Sequence, residues 1–175
     1  HGALLAAAKR VADRDGLNGL TLRAVAREAG RSHAAPAHHF GDITGLLSEL
    51  AAIGFEAFSA QMGAVPCDGE PPGEAAQQKA RAYVAFARDN PALYQLMYER
   101  IRQKEALPTA YAGGAYDSVK KAVRRRAGQS VSGVDLELAT FAVWCAVHGL
   151  AEMRVFPRLE GLKTSLGGEE AFVRS

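Results

Sequence analysis

Residues 22–40 read LRAVAREAGRSHAAPAHHF, and the order of small, apolar and polar positions in this stretch decides the fold. Two short helices joined by a tight turn must cross closely, so the first needs a small residue where they meet, and Ala26 supplies it. Four residues later the turn needs a residue that tolerates positive φ, here Gly30. Val25 and Ala29 then face a core that Phe40 and Leu46 close. Thr21 stands where it can cap the first helix, Leu22 to Ala29, and Ser32 where it can cap the second, which runs through His39. These signals together predict a helix-turn-helix.

Outward from this segment the pattern stays helical, with apolar residues recurring at three and four and no alternation of the strand kind. Upstream, Ala3 to Arg14 carries Leu4, Ala7, Ala8 and Val11 until Gly16 stops it. Downstream, Asp42 caps a long helix from Ile43 to Met62. Residues 63–73, GAVPCDGEPPG, form a Pro/Gly-rich break. Further helices are predicted over Glu74–Asp89, from Pro91 after an Asn90 cap, over Ala115–Ala127, over Asp135–Val155 and from Glu169. The predicted architecture is all-α. An N-terminal three-helix helix-turn-helix domain spans residues 1–42, and a larger helical domain spans 43–175, its first helix bridging the two.

Composition agrees with this picture. The chain has 175 residues, 48% of them hydrophobic and 23% charged, enough to bury a sizeable core and too apolar for disorder. With 21 Lys+Arg against 19 Asp+Glu the net charge is only +2, so a nucleic-acid surface must be basic locally. Cys67 and Cys145 are the two cysteines, too few for a disulfide scaffold and wrongly spaced for zinc. Both read as reduced thiols in a cytoplasm, Cys145 as an inert packing residue of an apolar run. The longest uncharged run, Leu138 to Ala151, has the length of a core helix and is too short to span a bilayer, so no membrane partner is expected. No signal peptide is visible, and because the first residue is His1 an upstream segment contacting DNA is left open.

At Thr21-Leu22-Arg23-Ala24-Val25-Ala26 through Gly30, Ser32-His33-Ala34-Ala35-Pro36, His39-Phe40 and Leu46-Leu47 the chain resembles the TetR family of transcriptional regulators. Trp144-Cys145-Ala146-Val147-His148-Gly149-Leu150 is similar to the W-x-x-x-H-G motif of one subgroup's ligand-binding domain. The resemblance implies a recognition helix from Ser32 to His39 in the major groove of palindromic double-stranded DNA, bound by a homodimer. The positions it assigns to DNA are Thr21, Arg23, Arg31, Ser32, His33, Ala34, Ala37, His38 and His39. Residue chemistry fits in part, since imidazoles hydrogen-bond bases or phosphates and Arg23, Arg27 and Arg31 add charge. A metal site is the competing reading of the histidines. His38 and His39 point about 100° apart on a helix and have no acidic or Cys neighbour, so no metal is predicted. The chain departs from the family pattern at Ala37, usually aromatic, at Ile43, often Lys, and at Arg31, normally aliphatic. Pro36, at the predicted fourth helical position, removes an early helix bond.

On a helical wheel, Asp135–Val155 separates into two apolar stripes. Leu136, Ala139, Val143, Ala146, Val147 and Leu150 lie together, with Phe141, Trp144, Cys145 and His148 roughly opposite. A helix apolar all round is covered either by its own chain on every side or partly by a second subunit. The family resemblance favours the second, with Leu136, Val143, Val147 and Leu150 as the seam. Phe86, Tyr94, Met97, Tyr98, Trp144 and His148 are candidate walls of a small-molecule pocket. The basic cluster Lys120, Lys121, Arg124, Arg125 and Arg126 reads as a solvated face. No nucleophile–base pair or phosphate loop is present, so neither catalysis nor a cofactor is expected. The predicted function is a DNA-binding regulator, a repressor released by an apolar or aromatic ligand. The alternative is a helical small-molecule-binding protein whose DNA-reading end has degenerated.

Overall fold

The computed structural model describes residues 1–66, 69, 71–102, 109–128, 130–153, 157–168 and 171. Among them are nine helices and no strand: α1 (Gly2–Gly19), α2 (Leu22–Glu28), α3 (Ala34–Phe40), α4 (Ile43–Ala64), α5 (Pro72–Asp89), α6 (Pro91–Arg102), α7 (Thr109–Ala127), α8 (Gly133–Met153) and α9 (Pro157–Ser165). The chain packs as two compact units, residues 1–57 with 90–111, and residues 58–89 with 112–175. This partition cuts α4 between Ala57 and Phe58, whereas the expected functional division lies at residues 42/43.

The first unit is built on small residues at close crossings. Leu4, Ala7, Ala8 and Val11 of α1 meet Val25 of α2, Leu46 and Leu50 of α4, and Leu93 and Leu96 of α6 in one buried cluster. Gly16 breaks α1 as expected (φ 70°, ψ 179°), but the chain resumes a turn of helix to Gly19. Thr21 caps α2, its Oγ1 accepting from Ala24 N–H at 3.1 Å. At the other end, Gly30 adopts φ +63°. Gly30 N–H donates to the Arg27 carbonyl at 3.2 Å and Arg31 N–H to the Ala26 carbonyl at 2.9 Å. These two bonds are the Schellman closure, which satisfies carbonyls that the helix leaves open.

The start of α3 differs from expectation. His33, not Ser32, is the N-cap and offers no side-chain bond, while Ser32 contributes only its carbonyl to Ala35 N–H at 3.1 Å. Beginning one residue later puts Pro36 at the third helical position, where no N–H would find an intrahelical partner anyway. Pro36 therefore costs no helix bond. Asp42 caps α4 as expected, accepting from Gly45 N–H at 2.9 Å. A Cβ at Gly45 would lie 2.1 Å from the Phe40 carbonyl oxygen, so the α3–α4 turn admits only glycine there.

In the second unit, α8 starts two residues before Asp135 because Ser132 caps it. Ser132 Oγ accepts from Asp135 N–H at 3.1 Å and donates to the Asp135 carboxylate at 2.7 Å. Helix α9 was not predicted, although Pro157 at its first position is a start signal; the helix expected from Glu169 lies outside the described residues, as do Cys67 and Val155. By length and composition alone α4 and α8 are apolar enough to cross a bilayer, α8 because the helix extends past the uncharged run 138–151 with few charges, a test that a core helix also passes.

Replacing Gly30 by Ala leaves the φ +63° backbone strained even though the new Cβ meets nothing within 4 Å. Gly30→Ala is expected to destabilise the first unit by about 1–2 kcal/mol, read as a lower urea midpoint at unchanged m-value.

Candidate functional site

Two surfaces carry the candidate chemistry, one in each unit. In the first, all nine positions assigned to DNA by resemblance are exposed: Thr21, Arg23, Arg31, Ser32, His33, Ala34, Ala37, His38 and His39. Arg27 is exposed beside them. The reason is local. Pro36 and Phe40 turn into the core and half-buried Ala35 packs against it, so Ala34, Ala37, His38 and His39 face outward. His38 and His39 have their ring centroids 5.5 Å apart at 65°, and His39 meets the His1 ring edge-on at 5.8 Å. A polar groove next to them is lined by His1, Gly30, Arg31, Ser32 and His39. Among the described residues no group of three His, Cys, Asp or Glu is arranged to hold a metal ion.

Beneath this surface one carboxylate adds a tie between α1 and α2 outside the core. Glu28 of α2 accepts from Arg10 Nε at 2.8 Å and from an Arg14 terminal nitrogen at 2.9 Å, tying α2 to α1. The Arg10 and Arg14 hydrogen bonds hold the Glu28 carboxyl below its ordinary value. Arg14 is in turn held above its ordinary range by hydrogen bonds to Asp15 and Glu28.

In the second unit, a cavity of about 330 Å³ of atom-free space, its mouth included, opens between α5, α7 and α8 and the end of α4. Most of that space is crevice too narrow for the centre of a water molecule, so a ligand must part the walls. The walls are almost wholly apolar, including Met62, Ala80, Val119, Val123, Val143 and Val147, with Lys79, Tyr83 and Trp144 as the large or polar exceptions. An aromatic cluster backs it. Tyr83 meets Trp144 edge-on at 5.3 Å and Phe58 at 4.9 Å, while Phe58 leans on Phe86 at 5.0 Å. Tyr83 Oη lies 3.1 Å from His148 Nδ1. Tyr116 packs on Trp144 at 5.7 Å and donates to Glu137 at 3.0 Å. Lys120 also bonds Glu137, and these two hydrogen bonds hold its carboxyl below the ordinary range.

Of the six predicted pocket residues, Trp144 lines this cavity, and Phe86 and His148 touch rings that back or line it. Tyr94, Met97 and Tyr98 belong to the first unit. Tyr94 and Met97 are buried there, and Met97 packs where a Cβ on Gly54 would stand 2.8 Å from its sulfur. Lys79 and Tyr83 were missed. Their signal is the stripe Ala75, Lys79, Tyr83, Ala87 at intervals of four, a lysine in the middle of a buried helix face.

The stripes of α8 also need correction. Leu136 is buried in its own unit and half-buried Val147 lines the cavity, while Val143 borders the cavity and is still 38% exposed, so the expected seam residues do not share one surface. Leu150 is half-buried. The exposed apolar face matches neither predicted stripe: it holds Val134 (71%), Leu138 (64%), Phe141 (60%) and Met153 (52%), with Cys145 and Val143 (38%), whereas Trp144 and His148 are half-buried. Cys145 is thus an exposed thiol rather than a packed one. The rotation follows from Leu136, Thr140 and Ala151 being the positions buried on α8. In the basic cluster, Val119 and Val123 are buried while Lys120 bonds Glu137 and Arg124 donates to the Val131 carbonyl at 2.9 Å.

Comparison with known proteins bears on both surfaces. Residues 4–50 match the family described as bacterial regulatory proteins, tetR family, and residues 76–174 match the tetracyclin repressor-like C-terminal domain. The chain belongs to the TetR family of regulators. A protein of unknown function from Rhodococcus sp. RHA1 is 26% identical, with a TM-score of 0.78 over 99% of this chain and 87% of that one. The TetR regulator SCO7222 from Streptomyces coelicolor is 21% identical, with a TM-score of 0.68 over 96% and 79%. The multidrug binding protein EbrR, solved with imidazole, is 21% identical, with a TM-score of 0.63 over 99% and 89%. No curated protein matches the chain. Regulators of this family are DNA-binding proteins, and nothing in this one indicates catalysis.

Because the folded Glu28 carboxyl lies below its ordinary value of 4.5, the α1–α2 tie acts in full above that pH and is lost as pH falls through the depressed value. Acidification from pH 6 to 3 should therefore lower the melting temperature more in the native chain than in Glu28→Gln, measured by circular dichroism.

Proposed function

We propose that this TetR-family chain is a cytoplasmic, homodimeric repressor that leaves a palindromic operator when a small apolar or aromatic molecule enters the second unit. The observation that carries the DNA half is the fully exposed face of α3 beside Arg23, Arg27 and Arg31. The methyls of Ala34 and Ala37 suit apolar contact with thymine, and the flanking imidazoles of His33 and His38 suit base edges or phosphates. Arg23 and Thr21 serve as backbone grips that position the helix. Trp144 lines the cavity and His148 lies 3.1 Å from Tyr83 Oη behind it, which supports a use of the W-x-x-x-H-G stretch for ligand. The binding described for EbrR supports the same assignment by analogy of fold.

Selection from random duplexes should enrich a palindrome whose half-sites lie about 34 Å apart or slightly more, one turn of DNA. Absence of any enriched palindrome would sink the proposal. Arg23→Ala should weaken all sequences alike and flatten the log–log salt slope by about 1 per site, whereas His33→Ala should also cost about 1 kcal/mol of base discrimination.

For assembly, the exposed face of Val134, Leu138, Phe141 and Met153 is the surface a second copy would cover. Phe141→Arg should weaken the dimer on the order of 30-fold or more, giving monomers in light scattering at micromolar concentration. Val147→Arg, placed on the cavity wall, should instead lower stability and leave the assembly intact.

A further inference from the structure

Lys79 is the anomaly of the second unit. The Ala75–Lys79–Tyr83 stripe of α5 sends it inward, and it is only 3% exposed. Its ammonium donates to the Met62 carbonyl at 2.8 Å, to the Val65 carbonyl at 3.1 Å and to Ser118 Oγ, which itself donates to the Met62 carbonyl at 3.0 Å. All three partners are neutral, and among the described residues no carboxylate pairs with this cation. The carbonyls at the end of α4 offer the negative end of a helix dipole, which offsets part of the burial of a charge. A lysine serving only as a C-terminal cap does so from the surface with its head in water. This one does so from inside the wall of an otherwise apolar cavity.

We infer that Lys79 is the ligand-selecting residue of the cavity and that the molecule it takes is a monocarboxylate with an apolar tail. This rests on the cavity being the effector site. One ammonium neutralises one negative charge. No arginine lines the cavity, so a dianion such as a phosphate monoester would go half-paired. On parting the walls the tail would meet Val119, Val123, Val143 and Val147, with Trp144 and Tyr83 beside it. Three ammonium protons are already engaged, so the carboxylate displaces a partner. The Val65 carbonyl, past the end of α4 and the longer of the two backbone bonds, is the one it replaces most cheaply.

The test compares octanoate, 1-octanol and octylamine, equal in tail and different in charge, against the full chain at pH 7.5. Calorimetry gives each Kd, and emission from Trp144, the single tryptophan, reports whether the site is this cavity. Octanoate should bind at least tenfold tighter than octanol, with octylamine weakest. In Lys79→Met, octanoate should fall to the level of octanol while octanol binding persists. If Lys79→Met does not fold, the three-ligand series on the native chain decides alone. Octylamine binding as tightly as octanoate, or a preference for octanoate that survives in Lys79→Met, overturns the inference and leaves the sensor in place. Heat without a Trp144 response, or no binding by any of the three, overturns both the inference and the placement of the effector site here, while operator binding stands on its own test.

Discussion

The hydrogen bond from Arg31 N–H to the Ala26 carbonyl, made across a left-handed Gly30, sets the geometry on which the DNA-reading surface depends. It reverses the chain in two residues, so α3 must leave α2 at a fixed angle. Ala26 is fully buried, which lets the two helices approach closely. Once α3 is so placed, its inward positions are Pro36 and Phe40, and its outward face follows without further choice. The surface ties then hold the frame. Glu28 fastens α2 to α1 from outside the core, and Asp42 starts α4 two residues after α3 ends. A recognition helix of seven residues is too short to be stable alone, so its order is borrowed from this turn and this core.

Helix α8 obeys a different constraint. It is apolar around most of its circumference, and one chain covers only one side of it. Leu136, Thr140 and Ala151 are buried, and Val143, Trp144 and Val147 border the cavity. Val134, Leu138, Phe141 and Met153 are left in water. Covering such a side chain contributes about 1.5–3 kcal/mol. Four such side chains on one face are the surface that a covering partner would bury. The two duties proposed for the helix, wall and seam, would fall to faces that composition alone makes look alike.

That likeness explains what the sequence disclosed and what it withheld. The helix-turn-helix was legible because its signals are backbone requirements: a small residue at a crossing, a glycine at positive φ, hydroxyl and carboxylate caps at Thr21 and Asp42. Each is local and has few substitutes. The start of α3 was misplaced by one residue because Ser32 is a better cap by type than His33, yet Pro36 gains from the later start. The rotation of α8 was not legible because Val147 and Phe141 are both apolar, and only the packing of neighbouring helices decides which faces inward. Tyr94 and Met97 looked like pocket walls for the same reason. They are core residues of the first unit, since aromatic and thioether side chains serve core and pocket equally well. Lys79 was overlooked as one charge among many, though its position on a buried stripe set it apart.

Coupling of the proposed ligand to the proposed operator is a question of magnitude. Helix α4 belongs to both units, with Leu46 and Leu50 in the core of the first and Met62 on the cavity wall of the second. Its last turn is where the cavity touches it, through the Met62 side chain and through carbonyls that accept from Lys79 and Ser118. Driving a two-state equilibrium from 1:99 to 99:1 takes about 5.5 kcal/mol of differential affinity. One hydrogen bond exchanged at that turn supplies about 0.5–1.5 kcal/mol, too little alone. Parting a closed apolar cavity adds to it, because the closed walls favour the ligand-free state and the filled cavity the other. In a twofold assembly two cavities act on one DNA-bound state, so each needs to supply only about half of the total. In the proposed mechanism a second copy is therefore as necessary to the response as it is to reading a palindrome.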